Sequence, residues 1–422
     1  MPSIGRRLGK ASAVLAVATL MIMTGGRVDK VLGAATAPGP DAKSEAAVNQ
    51  PRVRVLLADR TRGGPTMPVR VNGPWSLMDP NTHEIVLEGA WLESAWGAVI
   101  QGIADGVVVN VTDKTGRKRT VHLARARLVP KRPETLVVGT RAYRGALDIV
   151  PHADGSMTLV NDLPIDDYIS GVVTAEMYFY WPTEALKAQA VVARTYTIAL
   201  LLEHAQAAAH PEWDVESTGL THQEYQGLAG EHPRGIEAVQ ATAGQVLAWN
   251  GKYFRAYFSS TCGGHTEACG LVWDDYATIP PLAGVACDYC KYSKYYQWVE
   301  TLATSDIEAA LKRAGKNVGD IRDIRFADTN GDGHMDVVTV EGTRQSLTMR
   351  GNDFRLAVGP GVLKSMLFTA KRVDKAWEFT GRGWGHGVGM CQYGAKGLAD
   401  LAKTYDVILK YYYPETQLKK AY

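Results

Sequence analysis

The sequence has no appreciable excess of charge of either sign. Its 46 lysines and arginines face 44 aspartates and glutamates, so the formal net charge of the 422 residues is +2. Domains that bind nucleic acids usually carry a strong surplus of basic residues. Loss of the first 34 residues would remove five basic residues and one acidic residue, which leaves the chain near neutrality. We therefore predict no nucleic-acid partner.

The amino terminus lacks a hydrophobic run long enough to cross a membrane. Residues 11–24 are mostly apolar, whereas a spanning helix needs roughly 20 such residues. Basic residues precede the run and small residues at 33–35 follow it, which is the pattern of an export signal. We predict a signal peptide over residues 1–34 and an exported protein of the periplasm or cell envelope. An uncleaved membrane anchor is the less favoured alternative.

The rest of the chain divides into regions that differ in composition and residue pattern. Residues 35–51 are rich in Ala, Pro and Ser and are predicted to be a linker. Over residues 52–137, short alternating apolar runs punctuated by Gly, Pro and Asn predict a small β-rich domain without a catalytic constellation. Residues 183–209 contain neither Gly nor Pro and have apolar residues at helical spacing, which predicts a long central helix. The predicted class is α+β, with the catalytic domain over 138–422.

Shorter elements are predicted within that second domain. The Asn250-Gly251 pair is a strong turn signal and predicts a hairpin over residues 245–261. Two short helices are predicted over residues 305–314 and 405–413, the second ending before Pro414.

Glycine is concentrated in residues 381–395, where six of the fifteen residues are glycine and His386 lies between two of them. Because glycine suits neither helix nor strand interiors, this density indicates positive φ angles or close approach of the backbone to a ligand. A histidine and a tryptophan held between glycines favour the ligand. The alternative is a buried structural histidine in a glycine-rich turn.

Four motifs in order resemble the stage II sporulation protein D family, the SpoIID/LytB domain. They are DLPIDDYISGVVTAEM at 162–177, WPTEALKAQAVVARTY at 181–196, STCGGHTE at 260–267 and the glycine-rich segment at 381–395. Agreement of four separated motifs is far more specific than any single one. The resemblance covers roughly residues 140–420.

The resemblance implies peptidoglycan lytic transglycosylase activity. Such enzymes cleave the MurNAc–GlcNAc bond without water and leave a 1,6-anhydro-MurNAc end, here on glycan strands whose stem peptides an amidase has removed. The family's catalytic acid maps onto Glu176. Some relatives are described instead as amidase enhancers, so the alternative is a non-catalytic glycan-binding protein with a cell-wall amidase as partner.

The chemistry expected of Glu176 is consistent with its neighbours. A lytic transglycosylase needs one carboxyl group as acid and then base, whereas ordinary glycosidases use two. An apolar environment should keep this acid protonated near neutral pH, and residues 177–181 are all apolar or aromatic. Without the resemblance, a solvated charge would be the preferred interpretation. Asp166 and Asp167 are interpreted as structural residues of a turn after Pro164.

Further residues are predicted to contact the glycan. His386 is the first candidate, as a hydrogen-bond donor near the leaving oxygen. Arg194 and Gln189 on the central helix are predicted either to face the cleft or, equally, to form a buried polar pair. The other candidates are Tyr180, Ser260, Thr261, Gln392 and Tyr393.

Cysteine is absent from the first 261 residues, and five cysteines follow. Cys287-x-x-Cys290 has the spacing of half a structural zinc site, and Cys262-x-x-His265 resembles the other half. Cys391 is the preferred fourth ligand, because the resemblance implies that positions 262 and 391 are often serine in relatives without the Cys-x-x-Cys pair. The alternatives for this position are His265 and Cys269.

We predict a structural zinc at these cysteines, against the competing interpretations of a disulfide or plain buried thiols. No cofactor is expected for the chemistry, since a carboxylic acid cleaves the glycosidic bond without a metal. A mostly thiolate ligand set also argues against a zinc-dependent hydrolase.

Residues 328–336 resemble the start of a calcium loop. Candidate oxygen ligands are Asp328, Asn330, Asp332 and Asp336, but the twelfth position is Thr339 instead of glutamate. Because strand-like runs flank the segment, we predict an Asn/Asp/Gly turn, with calcium binding as the less favoured alternative.

Overall fold

The computed structural model describes residues 50–422 except 59–65, 72, 90–97, 113–116, 209–210, 220–221 and 274–276. The predicted signal peptide over 1–34 and all but the end of the predicted linker over 35–51 lie outside the described residues. Strand-rich and helix-rich regions follow one another along the described chain, which confirms the α+β class.

The amino-terminal part of the described chain is a succession of strands joined by turns. Apolar residues alternate with polar ones along several of them, as expected for strands with one buried face. The strands up to residue 216 are β1 (Arg52–Ala58), β2 (Thr66–Val71), β3 (Trp75–Met78), β4 (Ile85–Gly89), β5 (Ala98–Ile103), β6 (Gly106–Thr112), β7 (Lys118–Leu123), β8 (Ala126–Pro130), β9 (Leu136–Val138), β10 (Arg141–Tyr143), β11 (Ala146–Pro151), β12 (Met157–Pro164) and β13 (Val215–Glu216).

These strands form two sheets, and the larger one crosses the predicted domain boundary. Its order is β13-β1-β12-β11-β8-β3-β4, and the order of the other is β10-β9-β2-β5-β6-β7. In the first sheet, β1 runs antiparallel to β12 and places Val53 opposite Leu163, and both side chains are fully buried. The boundary predicted at residue 137 is therefore wrong, because strands from both sides of it share one sheet and one core.

Two helices, α1 (Ile165–Glu176) and α2 (Thr183–Gln206), lie at the centre of this core. The central helix begins after Pro182, whose fixed φ suits a helix start. Nearly all of its residues between 185 and 200 are buried. By length and composition α2 resembles a membrane span, but 83% of its apolar window is buried inside the protein, as in the core helix of a globular protein.

The residues after Pro164 form helix α1, so the turn predicted there is wrong. Asp166 and Asp167 lie in its first turn, where negative side chains interact favourably with the helix dipole. Asp166 also pairs with Arg194 at 2.8 Å, and Asp167 with Arg132 at 2.5 Å. Both aspartates are thus structural, as predicted, although on a helix instead of a turn.

The next part of the chain contains a second hydrophobic core over residues 298–381, built around side chains such as Phe354 and Phe379. Two three-stranded sheets surround it, with orders β16-β21-β20 and β17-β18-β19. The elements from residue 227 to 381 are short 3-10 helices at Gly227–Gly230 and Pro280–Leu282, α3 (Pro233–Ala241), β14 (Gln245–Ala248), β15 (Phe258–Ser259), α4 (Cys269–Val272), β16 (Trp298–Ala303), α5 (Thr304–Arg313), β17 (Ile321–Ala327), β18 (Val337–Gly342), β19 (Ser346–Arg350), α6 (Gly351–Val358), β20 (Phe368–Val373) and β21 (Ala376–Gly381). The single catalytic domain predicted over 138–422 therefore holds part of one core and all of another.

The carboxyl-terminal segment returns to the first core. Its elements are β22 (Met390–Cys391), α7 (Gln392–Asp400), α8 (Tyr405–Tyr412) and β23 (Gln417–Lys420). Asn250 and Gly251 form the predicted tight turn with positive φ angles, but the flanking strands pair elsewhere. Strand β14 pairs with β23, and β15 pairs in parallel with β22. The second pairing brings the 260–267 motif beside the glycine-rich segment.

Candidate active site

A cavity of about 320 Å³ lies where α1, the glycine-rich segment and α6 meet. Glu176 from α1, His386 from the glycine-rich segment and Arg355 from α6 all line it. The two hydrophobic cores thus contribute to one surface. Its described aromatic lining consists of Tyr196, Tyr257, Phe258, Trp273 and Trp384.

Glu176 is the last residue of α1, and the extended backbone of Met177 ends the helix there. The carboxyl group is half-buried, and its Oε1 accepts a 2.7 Å hydrogen bond from the backbone N–H of Glu224. Burial raises the pKa of Glu176 to about 7, against the smaller opposing effect of that hydrogen bond. The group can therefore release and recover a proton near neutral pH.

His386 is held as a neutral ring. Its Nδ1 accepts a 3.0 Å hydrogen bond from the backbone N–H of Val388, so a proton on the neutral ring resides on Nε2. Burial, together with the positive charge of Arg355, lowers the pKa of His386 to about 3. The ring also lies 5.0 Å from that of Trp273. His386 therefore shares the cavity with Glu176 without competing for its proton.

The glycine-rich segment needs glycine for its backbone path. Gly383, Gly385, Gly387 and Gly389 all have positive φ angles, which side chains disfavour. A Cβ at Gly389 would lie 1.9 Å from the carbonyl oxygen of Tyr257. The first explanation offered for the glycine density is confirmed, since the segment has positive φ angles at alternate residues; the close approach seen at Gly389 is to the protein's own backbone.

Four polar groups around the cavity lack hydrogen-bond partners among the described residues. They are Ser259 Oγ, Asn352 Oδ1, Arg355 Nε and Gln392 Nε2. Arg355 is 6% exposed, and burial lowers its pKa to about 10. Buried polar groups are almost always paired in folded proteins. A concentration of unpaired ones on a cavity wall therefore indicates a polar ligand.

Three of the predicted glycan contacts line the cavity, namely His386, Gln392 and Ser260. Tyr393 lies next to them but outside the described lining, and its ring packs edge-on against Trp181 at 4.8 Å. Tyr180 is 61% exposed and stacks on Tyr178 at 5.2 Å, on the surface beyond Glu176.

Three other predicted contacts lie away from the cavity, which corrects their assignment. Thr261 is buried, with its hydroxyl 2.8 Å from Ser293 Oγ. Arg194 is completely buried and, besides Asp166, contacts the hydroxyl of Tyr422 at 3.0 Å. Gln189 is also completely buried, and its amide has no partner among the described residues. Arg194 and Gln189 are buried, as in the alternative interpretation, because α2 is covered on every side between residues 188 and 200.

The sequence interpretation missed Arg355 and Asn352. Both lie on α6, whose pattern of apolar and polar residues is that of an ordinary amphipathic helix. These two side chains become cavity residues only because the fold brings α6 to the same cavity as Glu176. Trp273 was missed as well, since a lone tryptophan in a loop carries no specific signal.

The four cysteines predicted as zinc ligands lie together. The sulfur atoms of Cys262, Cys287, Cys290 and Cys391 are all buried and within 4.8 Å of one another. Cys262 Sγ and Cys290 Sγ are 3.6 Å apart, far beyond the disulfide length of about 2.05 Å. Zinc–sulfur bonds of about 2.3 Å in a tetrahedron give sulfur–sulfur distances of about 3.8 Å. The geometry fits a tetrahedral S4 site.

The hydrogen bonds to two of these sulfur atoms are also consistent with thiolates. Cys391 Sγ accepts hydrogen bonds from the backbone N–H groups of Cys262 and Gly394, at 3.2 and 3.3 Å. Hydrogen bonds from Cys262 and Cys290 hold the pKa of Cys287 below its usual range. Neither His265 nor Cys269, the two alternative ligands, belongs to this cluster.

The segment at 328–336 forms the predicted turn. Asp328 accepts backbone hydrogen bonds from Gly331 at 2.7 Å and Gly333 at 2.9 Å, and Asp336 accepts two from Thr329. Both carboxylates thus cap the loop itself, as expected of an Asn/Asp/Gly turn.

Comparison with known proteins agrees with the sequence motifs. A family model described as Stage II sporulation protein matches residues 153–249, and a domain of unknown function, DUF8618, matches residues 287–389. Stage II sporulation protein D of Bacillus subtilis is 32% identical over 280 residues, which cover 62% of this chain and 76% of that protein. The chain belongs to the stage II sporulation protein D family.

Two further relatives extend the comparison. An uncharacterized protein of Brachyspira hyodysenteriae is 34% identical over 316 residues, covering 75% of this chain and 83% of that protein. The protein named Amidase enhancer of Bacillus subtilis is 28% identical over 306 residues, covering 59% of this chain and 40% of that protein. Membership of the family supports a role at the cell wall. Glu176 lies in the sporulation-protein match, and Arg355 lies in the DUF8618 match.

Proposed function

We propose that this protein is a peptidoglycan lytic transglycosylase of the cell envelope, with Glu176 as its acid and base. One observation carries the proposal: Glu176 is the only carboxylic acid among the described residues that line the cavity. Hydrolases of glycosidic bonds generally use a pair of carboxylates. A lone carboxyl group with a pKa of about 7 suits a reaction that needs one group in both protonation states.

The reaction begins with the protonated acid. Glu176 donates its proton to the oxygen between MurNAc and GlcNAc as the bond from that oxygen to the anomeric carbon breaks. The C6 hydroxyl of the same MurNAc then attacks the anomeric carbon and gives its proton to the Glu176 carboxylate. The 1,6-anhydro ring is closed, the acid is restored and no water is consumed. The raised pKa favours the first step at neutral pH.

The unpaired groups of the cavity suit a glycan substrate. Hydroxyl and acetamido groups of sugars would satisfy Ser259 Oγ, Asn352 Oδ1 and Gln392 Nε2, and Trp384 offers a face for a sugar ring. Arg355 is a buried cation without an ion-pair partner among the described residues. The lactyl carboxylate of MurNAc is free only where the stem peptide has been removed, and it would neutralise this charge. The favoured substrate is therefore peptide-stripped glycan.

We also propose that Cys262, Cys287, Cys290 and Cys391 bind a structural zinc ion. Four buried sulfurs at near-tetrahedral spacing support a closed site. Ser260 and Gln392, which line the cavity, directly adjoin two of these cysteines in sequence. Zinc would fix the backbone that carries them, while the proton transfers remain with Glu176.

A second candidate function is stimulation of a cell-wall amidase by a glycan-binding protein. The similarity to the protein named Amidase enhancer favours it. So do the exposed side chains of Tyr178, Phe179 and Tyr180 beside Glu176, which offer a surface for glycan or protein. This function would not depend on the proton chemistry of Glu176.

Mass spectrometry of glycan strands after incubation separates the two functions. Wild-type protein should release anhydro-ended fragments, and Glu176→Gln should not. Glu237→Gln is the matched control, because it makes the same change at an exposed glutamate on α3. Reducing-end fragments would indicate hydrolysis. Absence of cleavage by wild type, with glycan still bound, would favour the amidase-enhancer function.

A further inference from the structure

A second cluster of ligand-type side chains lies beneath the glycine-rich segment, apart from the cavity and the four cysteines. Glu267 ends the 260–267 motif, and Asp332 and His334 lie in the turn between β17 and β18. The ligand atoms of the three residues are within 4.8 Å of one another. His334 Nδ1 is 2.9 Å from Asp332 Oδ1 and 3.3 Å from Glu267 Oε2.

Glu267 is deeply buried and only partly satisfied. Its side chain is 3% exposed, and Oε1 accepts a 2.6 Å hydrogen bond from the backbone N–H of Ala268. Oε2 has no hydrogen-bond partner among the described residues. A buried carboxylate oxygen of this kind is strongly destabilising unless it binds a proton or a cation.

A fourth side chain faces the same cluster. His265 Nδ1 is 3.4 Å from Asp332 Oδ2, and this buried nitrogen has no hydrogen-bond partner among the described residues. Tetrahedral metal ligands with bonds of about 2.0–2.2 Å are separated by about 3.4 Å. The separations of 2.9 and 3.3 Å among Glu267, Asp332 and His334 are therefore close to those of atoms that share one metal ion, whereas His265 meets the other oxygen of Asp332 and lies outside this cluster.

We propose that Glu267, Asp332 and His334 bind a divalent transition-metal ion, with His265 placed against the second oxygen of Asp332. One imidazole with two carboxylates forms a mixed nitrogen and oxygen set, which favours Zn²⁺ or Mn²⁺ over Ca²⁺. The ligand set shares Asp332 with the less favoured calcium alternative but not Asp328 or Asp336, whose carboxylates accept hydrogen bonds from the turn. It also lacks sulfur, so its metal preference differs from that of the four cysteines.

The position of the site indicates a structural role. The backbone N–H of Glu267 donates a 3.0 Å hydrogen bond to the carbonyl oxygen of Gly387, the residue after His386. A Cβ atom added at Gly387 would lie 3.3 Å from both Glu267 Cβ and His334 Nε2, so this glycine packs directly against the cluster. A metal here would tie the second core, through Asp332 and His334, to the motif and segment that carry the cavity residues. This inference does not depend on the proposed transglycosylase activity.

Cobalt titration of metal-stripped, reduced full-length protein tests the proposal. Co²⁺ bound by thiolates gives a sulfur-to-cobalt charge-transfer band, whereas Co²⁺ bound by nitrogen and oxygen does not. Wild type should bind one Co²⁺ without that band, whatever the cysteines bind. Asp332→Asn should weaken this Co²⁺ by at least about tenfold and leave any sulfur band unchanged. The matched control is Asp320→Asn, at an exposed aspartate of the same core.

A second variant and a folding check complete the design. Glu267→Gln should also weaken the sulfur-free Co²⁺, and circular dichroism should show both variants folded. In thermal melts, added Zn²⁺ should stabilise a Cys287→Ser protein more than a Cys287→Ser, Asp332→Asn double variant. The proposal is overturned if wild type binds no sulfur-free Co²⁺, or if both Asp332→Asn and Glu267→Gln bind it as tightly as wild type.

Discussion

The backbone N–H of Glu224 donates a 2.7 Å hydrogen bond to the carboxylate of Glu176. This one neutral donor orients the carboxyl group at the end of α1, and it lowers the pKa less than burial raises it. The balance leaves the pKa of Glu176 at about 7, so the group is divided between its two protonation states at neutral pH. Four predictions follow from the site as a whole.

Cleavage should depend on protonated Glu176. Because the pKa is about 7, kcat/KM for release of anhydro-ended fragments should be flat below that pH. Above it, kcat/KM should fall about tenfold per pH unit. The measurement is an initial-rate profile on peptide-stripped glycan. A rate that rises through pH 7 would show that the ionised carboxylate starts the reaction.

Glu176→Gln should stabilise the protein at alkaline pH. A carboxyl group whose folded pKa is raised destabilises the fold once it ionises; stability is lost as pH rises from the unfolded value near 4.5 to about 7 and stays lost above it. Partial solvent exposure reduces the effect, so we expect about 1–3 kcal/mol at pH 8. Chemical denaturation at pH 5 and pH 8 measures it. Equal differences at both pH values would contradict the buried-acid interpretation, and Glu237→Gln should give none.

Arg355→Gln should impair use of peptide-stripped glycan. A hydrogen bond to a charged group contributes about 1.5–3 kcal/mol, which predicts a loss of roughly 10- to 100-fold in kcat/KM. The loss should be smaller on glycan with intact stem peptides, where the lactyl carboxyl is an amide. Arg344→Gln, at an exposed arginine of the same core, is the control. Equal losses on the two glycans would exclude recognition of the free carboxylate.

Cys287→Ser should remove zinc bound by the four cysteines and lower the melting temperature. Structural zinc contributes directly to folding free energy, so the loss should exceed that of an ordinary buried substitution. Elemental analysis and thermal melts of wild type and variant measure both effects. Cys269→Ser is the matched control, because this cysteine is buried but lies outside the cluster. Equal zinc content in Cys287→Ser and wild type would rule out the site.

Local signals made much of this site predictable from sequence. The start of α2 after Pro182 and the tight turn at Asn250-Gly251 depend on neighbouring residues only, and both are as predicted. Cys287 and Cys290 were identified by their spacing. The grouping of Glu176 with His386 came from motifs that recur together in a family.

The predictions that are wrong concern features set by contacts between residues far apart in the sequence. The alternation of residues along β1 predicts a strand but not its pairing with β12, so a false boundary was placed at 137. The periodicity of α2 does not show that every face around Arg194 is covered, so the sequence could not decide between the cleft and a buried position for this residue. Arg355 lies on α6, and the sequence of α6 does not show that this helix lines the same cavity as Glu176.

The cavity wall that α6 supplies has a consequence for how this site changes during evolution. Glu176 and Arg355, which both line the cavity, belong to two separately matched regions, over 153–249 and 287–389. Substitutions in the second matched domain can therefore change the surroundings of Arg355 while Glu176 stays unchanged. Under the proposed function, chimaeras that exchange residues 298–381 between relatives should transfer the preference for one glycan without exchanging the acid.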